Sequence, residues 1–123
     1  MSVEYDIRSF MAAVGQLEQT DDEKRLIDFR ISLIDEEYDE LIQALQWGDP
    51  ALIAKEIADV VYVVVGTAIA LGIPFDEVFA AVHESNMSKL DDQGQPYRRE
   101  DGKILKGPNY IPPEAQIAKL VRS

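Results

Sequence analysis

The chain has 123 residues, no cysteine and a formal net charge of −11 at neutral pH. This length favours one domain, and the lack of cysteine excludes both a disulfide framework and a thiolate metal site. An acidic chain repels nucleic-acid backbones, so we expect no nucleic-acid partner. The longest uncharged run, Val60–Phe75, has 16 residues, fewer than the roughly 20 that a membrane-spanning helix needs. We therefore expect no membrane partner and, because the N-terminus lacks an apolar signal segment, a cytoplasmic location.

The charge is unevenly spread along the chain. Residues 1–87 hold 18 acids and 5 bases, whereas residues 88–123 hold 5 acids and 7 bases. A small anionic substrate is still possible if cations bridge it to the acids, and the basic surplus near the C-terminus could help to hold it.

Helical signals dominate the first part of the chain. A first helix is predicted at 3–18. The sequence TDDE at 20–23 has the form of a capping box, in which a hydroxyl and a Glu side chain satisfy reciprocal backbone donors. It opens a second helix that ends near Gln46, and Gly48 is placed to stop that helix.

Two more helices follow in the same way. Asp49 caps and Pro50 begins a third helix, which reaches about Leu71 before a glycine ends it. Pro74 then occupies a first-turn position, and the acids after it favour the positive end of the helix dipole. This fourth helix is predicted to end near Leu90.

The character of the chain changes after the fourth helix. Residues 91–113 are rich in Gly and Pro, so regular structure is not expected there, and 114–121 is predicted to be a last short helix. Strand-type alternation is absent, and short connections make consecutive helices antiparallel neighbours. The sequence therefore predicts a single all-α domain, 1–123, with a helical bundle at about 3–90 and an irregular lid or tail at 91–123.

Two pairs of carboxylates fall on apolar helical stripes. In the second helix, Leu33, Glu37, Glu40 and Ala44 are spaced by 4, 3 and 4 residues and share one face. The same spacing recurs in the third helix at Leu52, Glu56, Asp59 and Val63. An ordinary solvated acidic face is the alternative, but apolar neighbours above and below each pair favour burial, and buried carboxylates need cations to stay ionised.

The two pairs are also predicted to lie level with each other. The midpoint of Glu37 and Glu40 lies 10 residues before the turn near 48.5, and that of Glu56 and Asp59 lies 9 residues after it. In an antiparallel hairpin with a rise of about 1.5 Å per residue, the pairs meet at nearly one height. Such oxygen ligands suit Mg²⁺ or Mn²⁺, and Glu36 could orient or deprotonate a water beside them.

A third face would complete this site. In the fourth helix, Asn86 and Lys89 share a stripe with Phe79 and Val82, at a height that matches the carboxylates. They could clamp phosphate oxygens. Alternatively, Lys89 is a solvated helix-end lysine and Asn86 caps a frayed end.

Other candidates carry weaker signals. The loop DGKILKGPNY at 101–110 could close over the site as a lid, or could be mobile; it supplies Lys103, Lys106 and Tyr110. Phe10 and Gln16 of the first helix could face a nucleotide base or pack in the core. Tyr62 could hydrogen-bond a carboxylate but is expected in the core, and Trp47 is expected to be a packing anchor.

The chain resembles a known family in several blocks. EEYDE at 36–40 followed by EIAD at 56–59 is similar to the EExxE…ExxD signature of the MazG-like all-α NTP pyrophosphohydrolases. The resemblance continues through ADVVYVVVGTAIALGI at 58–73, HESNMSKL at 83–90 and DGKILKGPNY, and covers roughly 8–113. The later blocks resemble the phosphoribosyl-ATP pyrophosphohydrolase-like branch, which includes MazG-like dUTPases.

The resemblance implies a four-helix core that assembles as a homodimer or a dimer of dimers. It implies one to three Mg²⁺ ions per site, with Mn²⁺ able to substitute, held by Glu37, Glu40, Glu56 and Asp59. Glu36 would lie near the attacking water, so that Glu36 and Glu37 are the expected catalytic carboxylates. Asn86 and Lys89 match a block associated with phosphate binding, which Lys106 would support.

The implied reaction converts a (d)NTP and water to a (d)NMP and pyrophosphate, with a dNTP such as dUTP or dCTP as substrate and nucleotide-pool housecleaning as the role. Phosphoribosyl-ATP is an alternative substrate. A non-catalytic helical interaction module is an alternative of another class. A di-iron carboxylate bundle is excluded, because it needs two Glu-x-x-His pairs and His83 is the only histidine.

Overall fold

The computed structural model describes residues 2–17 and 22–122. Within them the chain is all-α, as predicted, with one small two-stranded sheet. The elements are α1 Val3–Ala13, α2 Glu23–Trp47, α3 Pro50–Ala70, α4 Phe75–Met87, β1 Tyr97–Arg98, β2 Ile104–Leu105 and α5 Glu114–Arg122. The chain divides into two compact units, Met1–Gly72 and Ile73–Ser123. The expectation of a single domain over the whole chain stays a prediction.

The first helix is shorter than predicted. The Ser2 side chain caps α1 by accepting a hydrogen bond from the Tyr5 N–H at 3.0 Å. The helix ends at Ala13, and Gly15 follows with a φ of 75°. A left-handed residue at this position ends a helix, so the predicted extension to residue 18 is wrong.

The end of α2 and the start of α3 follow the predicted signals, but the start of α2 does not. Asp22 caps α2, accepting from the Arg25 N–H at 3.0 Å, and the helix begins at Glu23. The predicted capping box, which needs Glu23 three residues after the N-cap, is therefore wrong; its Thr20 lies outside the described residues. Gly48 has a φ of 88° and ends the helix. Helix α3 begins at Pro50, and the Asp49 side chain caps it by accepting from the Ala51 N–H at 3.2 Å.

A buried arginine aligns α2 with α3. Arg30 is 4% exposed, and its Nε and Nη2 donate hydrogen bonds, each of 3.0 Å, to Thr67 Oγ1 and to the Val63 carbonyl oxygen. A Cβ on Gly66 would lie 2.6 Å from Arg30 Nη2, so any side chain at this position would force the guanidinium to shift from its hydrogen-bond partners. The burial of this group lowers its pKa.

The same register brings the acidic positions together. Glu37 lies seven residues after Arg30, and Glu56 lies seven residues before Val63. Seven residues correspond to two helical turns. Because α2 and α3 are antiparallel, Glu37 and Glu56 meet about two turns from the arginine contact. Helix α1 packs on α3 through the buried side chains of Ile7 and Met11.

The second unit begins with α4, which ends earlier than predicted. Pro74 lies at its N-cap, and the helix stops at Met87 instead of Leu90. Ser88 follows it, donating through its hydroxyl to the Ser85 carbonyl at 2.6 Å and accepting from the Ile111 N–H at 2.9 Å. These bonds fasten the following segment to the end of α4. Helix α5 also packs against α4.

The expectation that the segment 91–113 has no regular structure is wrong in part. Its two short strands pair antiparallel, Tyr97 with Leu105 and Arg98 with Ile104. Gly107 lies against the Tyr97 ring so closely that a Cβ would overlap it. Strands of two residues are too short to show an alternating pattern, which explains why the sequence did not predict them.

Among the described residues, no single helix is long and apolar enough to cross a membrane. Pro50–Ala70 and Phe75–Met87 reach that length and apolarity only when they are counted together across the break between them.

Candidate metal centre

Three carboxylates from two helices converge in the first unit. Glu37 comes from α2, whereas Glu56 and Asp59 come from α3. One oxygen of each lies within 4.8 Å of the others. Since oxygens bound to one Mg²⁺ at about 2.1 Å lie at most about 4.2 Å apart, a small rotation of the side chains is enough to bring all three to one ion.

The carboxylates are wholly or partly withdrawn from water, and two of their oxygens lack a hydrogen-bond partner. Glu56 is 5% exposed, and Glu37 and Asp59 are half-buried. Glu37 Oε2 and Glu56 Oε2 are both buried, and neither has a hydrogen-bond partner among the described residues. A buried carboxylate oxygen without a partner is unfavourable, so these two oxygens need a cation or another donor.

The crowding changes the acidity of Glu37. Burial is the main cause that raises the pKa of Glu37 to about 7; a hydrogen bond with the Glu40 side chain and the charges of Glu40, Asp59 and Glu56 add to it. Carboxylates that share a site disfavour one another's ionised form. A divalent cation among them would reverse this effect by favouring the ionised form.

The donor set fits a hard cation. All three candidate ligands are carboxylates, with no histidine in this group of described residues. Oxygen donors of this kind suit Mg²⁺ or Mn²⁺ rather than zinc or copper. The residues that are present therefore fit the predicted metal, on the chemistry of the donors and on the two unpartnered oxygens.

The other two predicted carboxylates lie outside this group of three. Glu40 is exposed, although it shares a hydrogen bond with Glu37. Glu36 is also exposed. The structure thus brings together three of the four predicted ligands and leaves Glu40 beside them; the predicted role of Glu36 at the attacking water stays a prediction.

Sequence reasoning missed a lysine at the site. Lys55 Nζ donates to Asp59 Oδ2 at 2.8 Å and to Glu56 Oε1 at 3.3 Å. Its hydrogen bonds to Asp59 and Glu56 are the main causes that raise the pKa of Lys55. The signal was visible, since a lysine four residues before an aspartate on a helix can pair with it.

A groove adjoins the carboxylates at the end of α2. It has a volume of about 290 Å³ and is lined by Glu40, Gln43, Ala44, Trp47, Leu52 and Glu56. Trp47 is 83% exposed, so its interpretation as a packing anchor is wrong. The reason is its position as the last residue of α2, beyond the helix–helix contact. Gln43 lies one turn before it, and sequence reasoning did not single it out.

The aromatic candidates of the first unit touch each other. The rings of Phe10 and Tyr62 meet edge to face, with centroids 5.7 Å apart. Tyr62 is 38% exposed, so the expectation that it fills the core is wrong. Tyr62 also lines a largely apolar groove of about 330 Å³ between α1 and α3. Gln16 is half-buried and does not line that groove.

The predicted phosphate residues belong to the second unit. Asn86 is exposed in the last turn of α4, and Lys89 follows the helix, its N–H donating to the Asn86 carbonyl at 3.2 Å. The predicted continuous helical stripe through Lys89 is therefore wrong, because α4 ends at Met87. That these residues clamp phosphate stays a prediction.

The predicted lid residues also lie in the second unit. Lys103 and Lys106 are exposed, and Tyr110 is half-buried. The Lys106 ammonium lies 5.0 Å from the centre of the Tyr110 ring, a cation–π arrangement. Closure of this loop over the carboxylates stays a prediction.

Comparison with known proteins agrees with the signature residues. The phosphoribosyl-ATP pyrophosphohydrolase (PRA-PH) family matches residues 7–86, which include α2, α3 and all the candidate carboxylates. A search of curated proteins finds no match. The match spans most of the chain and supports a pyrophosphohydrolase activity. The chain therefore belongs to the phosphoribosyl-ATP pyrophosphohydrolase family, within the MazG-like all-α NTP pyrophosphohydrolase superfamily.

Proposed function

We propose that this protein is a Mg²⁺-dependent pyrophosphohydrolase of nucleoside triphosphates that acts on a dNTP such as dUTP or dCTP. The observation that carries the proposal is the convergence of Glu37, Glu56 and Asp59, with two buried oxygens that lack partners. Housecleaning of the nucleotide pool in the cytoplasm is the proposed role.

These three carboxylates would hold the metal, and Glu40 would add a further oxygen from the α2 side. When bound, Mg²⁺ or Mn²⁺ supplies charge neutralisation at the phosphates and lowers the pKa of the attacking water. Between one and three ions would bind in each site. Glu56 is buried and Glu37 and Asp59 are half-buried, which limits competing water and strengthens their interaction with cations.

The proposed chemistry is attack of water on the α-phosphorus. A bond forms between the water oxygen and the α-phosphorus, and the bond to the α,β-bridging oxygen breaks, so that pyrophosphate leaves with the bonding pair. Glu36 would accept the proton of the water as general base. Glu37 is the next residue in the sequence, and its carboxylate oxygens would help to hold the water and the α-phosphate in place.

The remaining substrate contacts come from side chains that donate or stack. The proposed contacts to the substrate's phosphates come from Asn86, Lys89 and Lys106, because an amide and two ammonium groups can donate to phosphate oxygens. Weaker candidates for contact with the rest of the nucleotide are Phe10, Gln16, Tyr62, Lys103 and Tyr110. The exposed edge-to-face pair of Phe10 and Tyr62 supports a base contact there.

Association into a homodimer or a dimer of dimers is part of the proposal. Helix α2 exposes Ile31, Tyr38 and Leu45, which are 57%, 56% and 51% exposed and are spaced by seven residues. Such a spacing places them on one face. A continuous apolar stripe of this kind on a helix marks an interaction surface, and a second copy of the chain offers the same stripe.

The activity is tested by pyrophosphate release from a panel of dNTPs with Mg²⁺. Glu37→Ala and Asp59→Ala each remove a proposed metal ligand and should each lose at least about 100-fold in rate, because loss of a group that only orients a ligand already costs about 10–100-fold. Asp39→Ala removes an exposed acid of the same helix and should retain activity. The proposal fails if the wild type hydrolyses no triphosphate, or if both site variants keep full activity.

Phosphoribosyl-ATP is a second candidate substrate, and the family match itself favours it. The same assay with phosphoribosyl-ATP separates the two: a kcat/KM above that for every dNTP would assign the protein to that reaction. The family match argues against the alternative of another class, a non-catalytic helical interaction module. It would give no pyrophosphate from any of these nucleotides and only a weak, salt-like change in melting temperature with Mg²⁺.

A further inference from the structure

Lys55 bridges two of the three converging carboxylates. Its Nζ lies 2.8 Å from Asp59 Oδ2 and 3.3 Å from Glu56 Oε1. Both oxygens belong to candidate metal ligands. The ammonium therefore already supplies positive charge to two of the carboxylates that a divalent cation at this centre would bind.

This contact differs from an ordinary surface ion pair, and the chain contains one for comparison. Lys24 pairs with Asp28 at the same helical spacing and the same 2.8 Å, with side chains 86% and 59% exposed. Exposed pairs of that kind contribute little. The Glu56 side chain bound by Lys55 is instead 6% exposed, and its other oxygen lacks a partner.

The charge of one ammonium does not balance the site. The charges of Glu40, Glu56 and Asp59 all act on Glu37. Lys55 brings a single positive charge and contacts only Glu56 and Asp59. Lys55 makes no hydrogen bond to Glu37 Oε2 or to Glu56 Oε2. A divalent ion brings twice the charge and can reach the oxygens that the lysine leaves unpartnered.

Release of the lysine is easy on physical grounds. Its side chain is 64% exposed, so the ammonium can return to water while its flexible stem stays against the helix. Departure of the ammonium also removes its repulsion of an incoming cation.

We propose that Lys55 is an internal counter-cation, which holds Glu56 and Asp59 in the metal-free protein and is displaced when a divalent ion binds. The inference rests on the proposed function, because it assumes that these carboxylates take up a metal. Two effects follow from this competition. Lys55 lowers the affinity of the site for the ion, and it stabilises the metal-free fold by offsetting the repulsion between the two carboxylates.

The test is calorimetric titration of the full chain with Mn²⁺ at neutral pH and fixed ionic strength. Lys55→Met keeps the length of the side chain and removes its charge, so it should bind Mn²⁺ at least about 5-fold more tightly, the lower end of a typical coupling between sites. Lys55→Arg should match the wild type. Lys24→Met, about 20 Å from Glu37 along α2, removes the same charge from the matched exposed pair and should change the affinity by less than about twofold.

A second readout is the melting temperature in EDTA, where Lys55→Met should melt below the wild type and below Lys24→Met. Equal or weaker Mn²⁺ binding by Lys55→Met overturns the inference while leaving the proposed function intact, provided that the wild type binds Mn²⁺ and Glu37→Ala does not. If the wild type takes up no Mn²⁺, the metal site and the proposed function fail together. Lys55→Gln, a second neutral variant, must shift the affinity in the same direction as Lys55→Met.

Discussion

The Arg30 guanidinium donates a hydrogen bond of 3.0 Å to the backbone carbonyl of Val63, and this contact sets the register in which α2 meets α3. Glu37 lies about two turns from Arg30 on α2, and on α3 Glu56 and Asp59 lie about two turns and one turn from Val63. The geometry of the metal centre therefore depends on a buried group that is not itself a ligand.

A Gly→Ala change inside a helix usually raises the free energy of unfolding, but the close approach of Arg30 to Gly66 predicts the opposite here. Alanine is favoured over glycine inside a helix by about 1 kcal/mol, but its Cβ would lie 2.6 Å from Arg30 Nη2. We expect Gly66→Ala to lower the free energy of unfolding by about 1–3 kcal/mol, as overpacking does, measured by urea denaturation. With Arg30→Met as background, the same change should become neutral or stabilising. A stabilising Gly66→Ala in the wild-type background would contradict this register contact.

The raised pKa of Glu37 predicts how the metal-free protein responds to pH. Between the ordinary pKa of glutamate and about 7, Glu37 stays protonated in the folded state and is ionised in the unfolded state. The unfolded state then binds fewer protons, so this group's contribution to stability falls as pH rises through that window and stays low above it.

Glu37→Gln should therefore melt close to the wild type near pH 5 and above it near pH 8, with both proteins in EDTA. Asp39→Asn, which removes an exposed acid two residues along the same helix, is the control and should show no such growing difference. A difference between Glu37→Gln and wild type that is constant from pH 5 to pH 8 would show that Glu37 titrates normally.

The only tryptophan offers a direct optical signal. Trp47 is 83% exposed and lines the groove that shares Glu40 and Glu56 with the metal centre. A triphosphate bound there with a divalent ion should shield the indole and shift its emission to shorter wavelength. Glu56→Gln should abolish the shift at the same nucleotide concentration. An unchanged emission under conditions that give turnover would place the nucleotide away from this groove.

The apolar stripe on α2 predicts the behaviour of charged variants in solution. Tyr38→Glu places a charge in the middle of the stripe formed with Ile31 and Leu45, and should dissociate the assembly because a buried unpaired charge is unfavourable. Light scattering coupled to gel filtration measures the mass. Gln46→Glu, at an exposed position of the same helix, should keep the mass of the wild type. A wild type with the mass of a single chain would contradict the proposed association.

The proximity of the three carboxylates could be predicted because helical period and turn length determine it. Spacing on α2 fixes the face of Glu37, and a turn of known length fixes its height relative to Glu56 and Asp59. The length of that turn could be predicted because Gly48 ends α2 and Pro50 begins α3. These features depend on the backbone alone.

Features that depend on side-chain direction or on weak local signals could not be predicted in the same way. The position of the Lys55 ammonium depends on its rotamer, and the exposure of Trp47 depends on how far α2 extends past its contact with α3. The early end of α4 follows from the hydrogen bonds of Ser88, which include one from Ile111, 23 residues along the chain. Such a contact has no periodic signature in the sequence.

The most direct test of the metal centre is an anomalous difference map from crystals soaked in Mn²⁺. We expect a peak within coordination distance of carboxylate oxygens of Glu37, Glu56 and Asp59, with the Lys55 ammonium moved away from Asp59 Oδ2. A well-soaked crystal with no peak there, or with Mn²⁺ bound only at other acids, would contradict it.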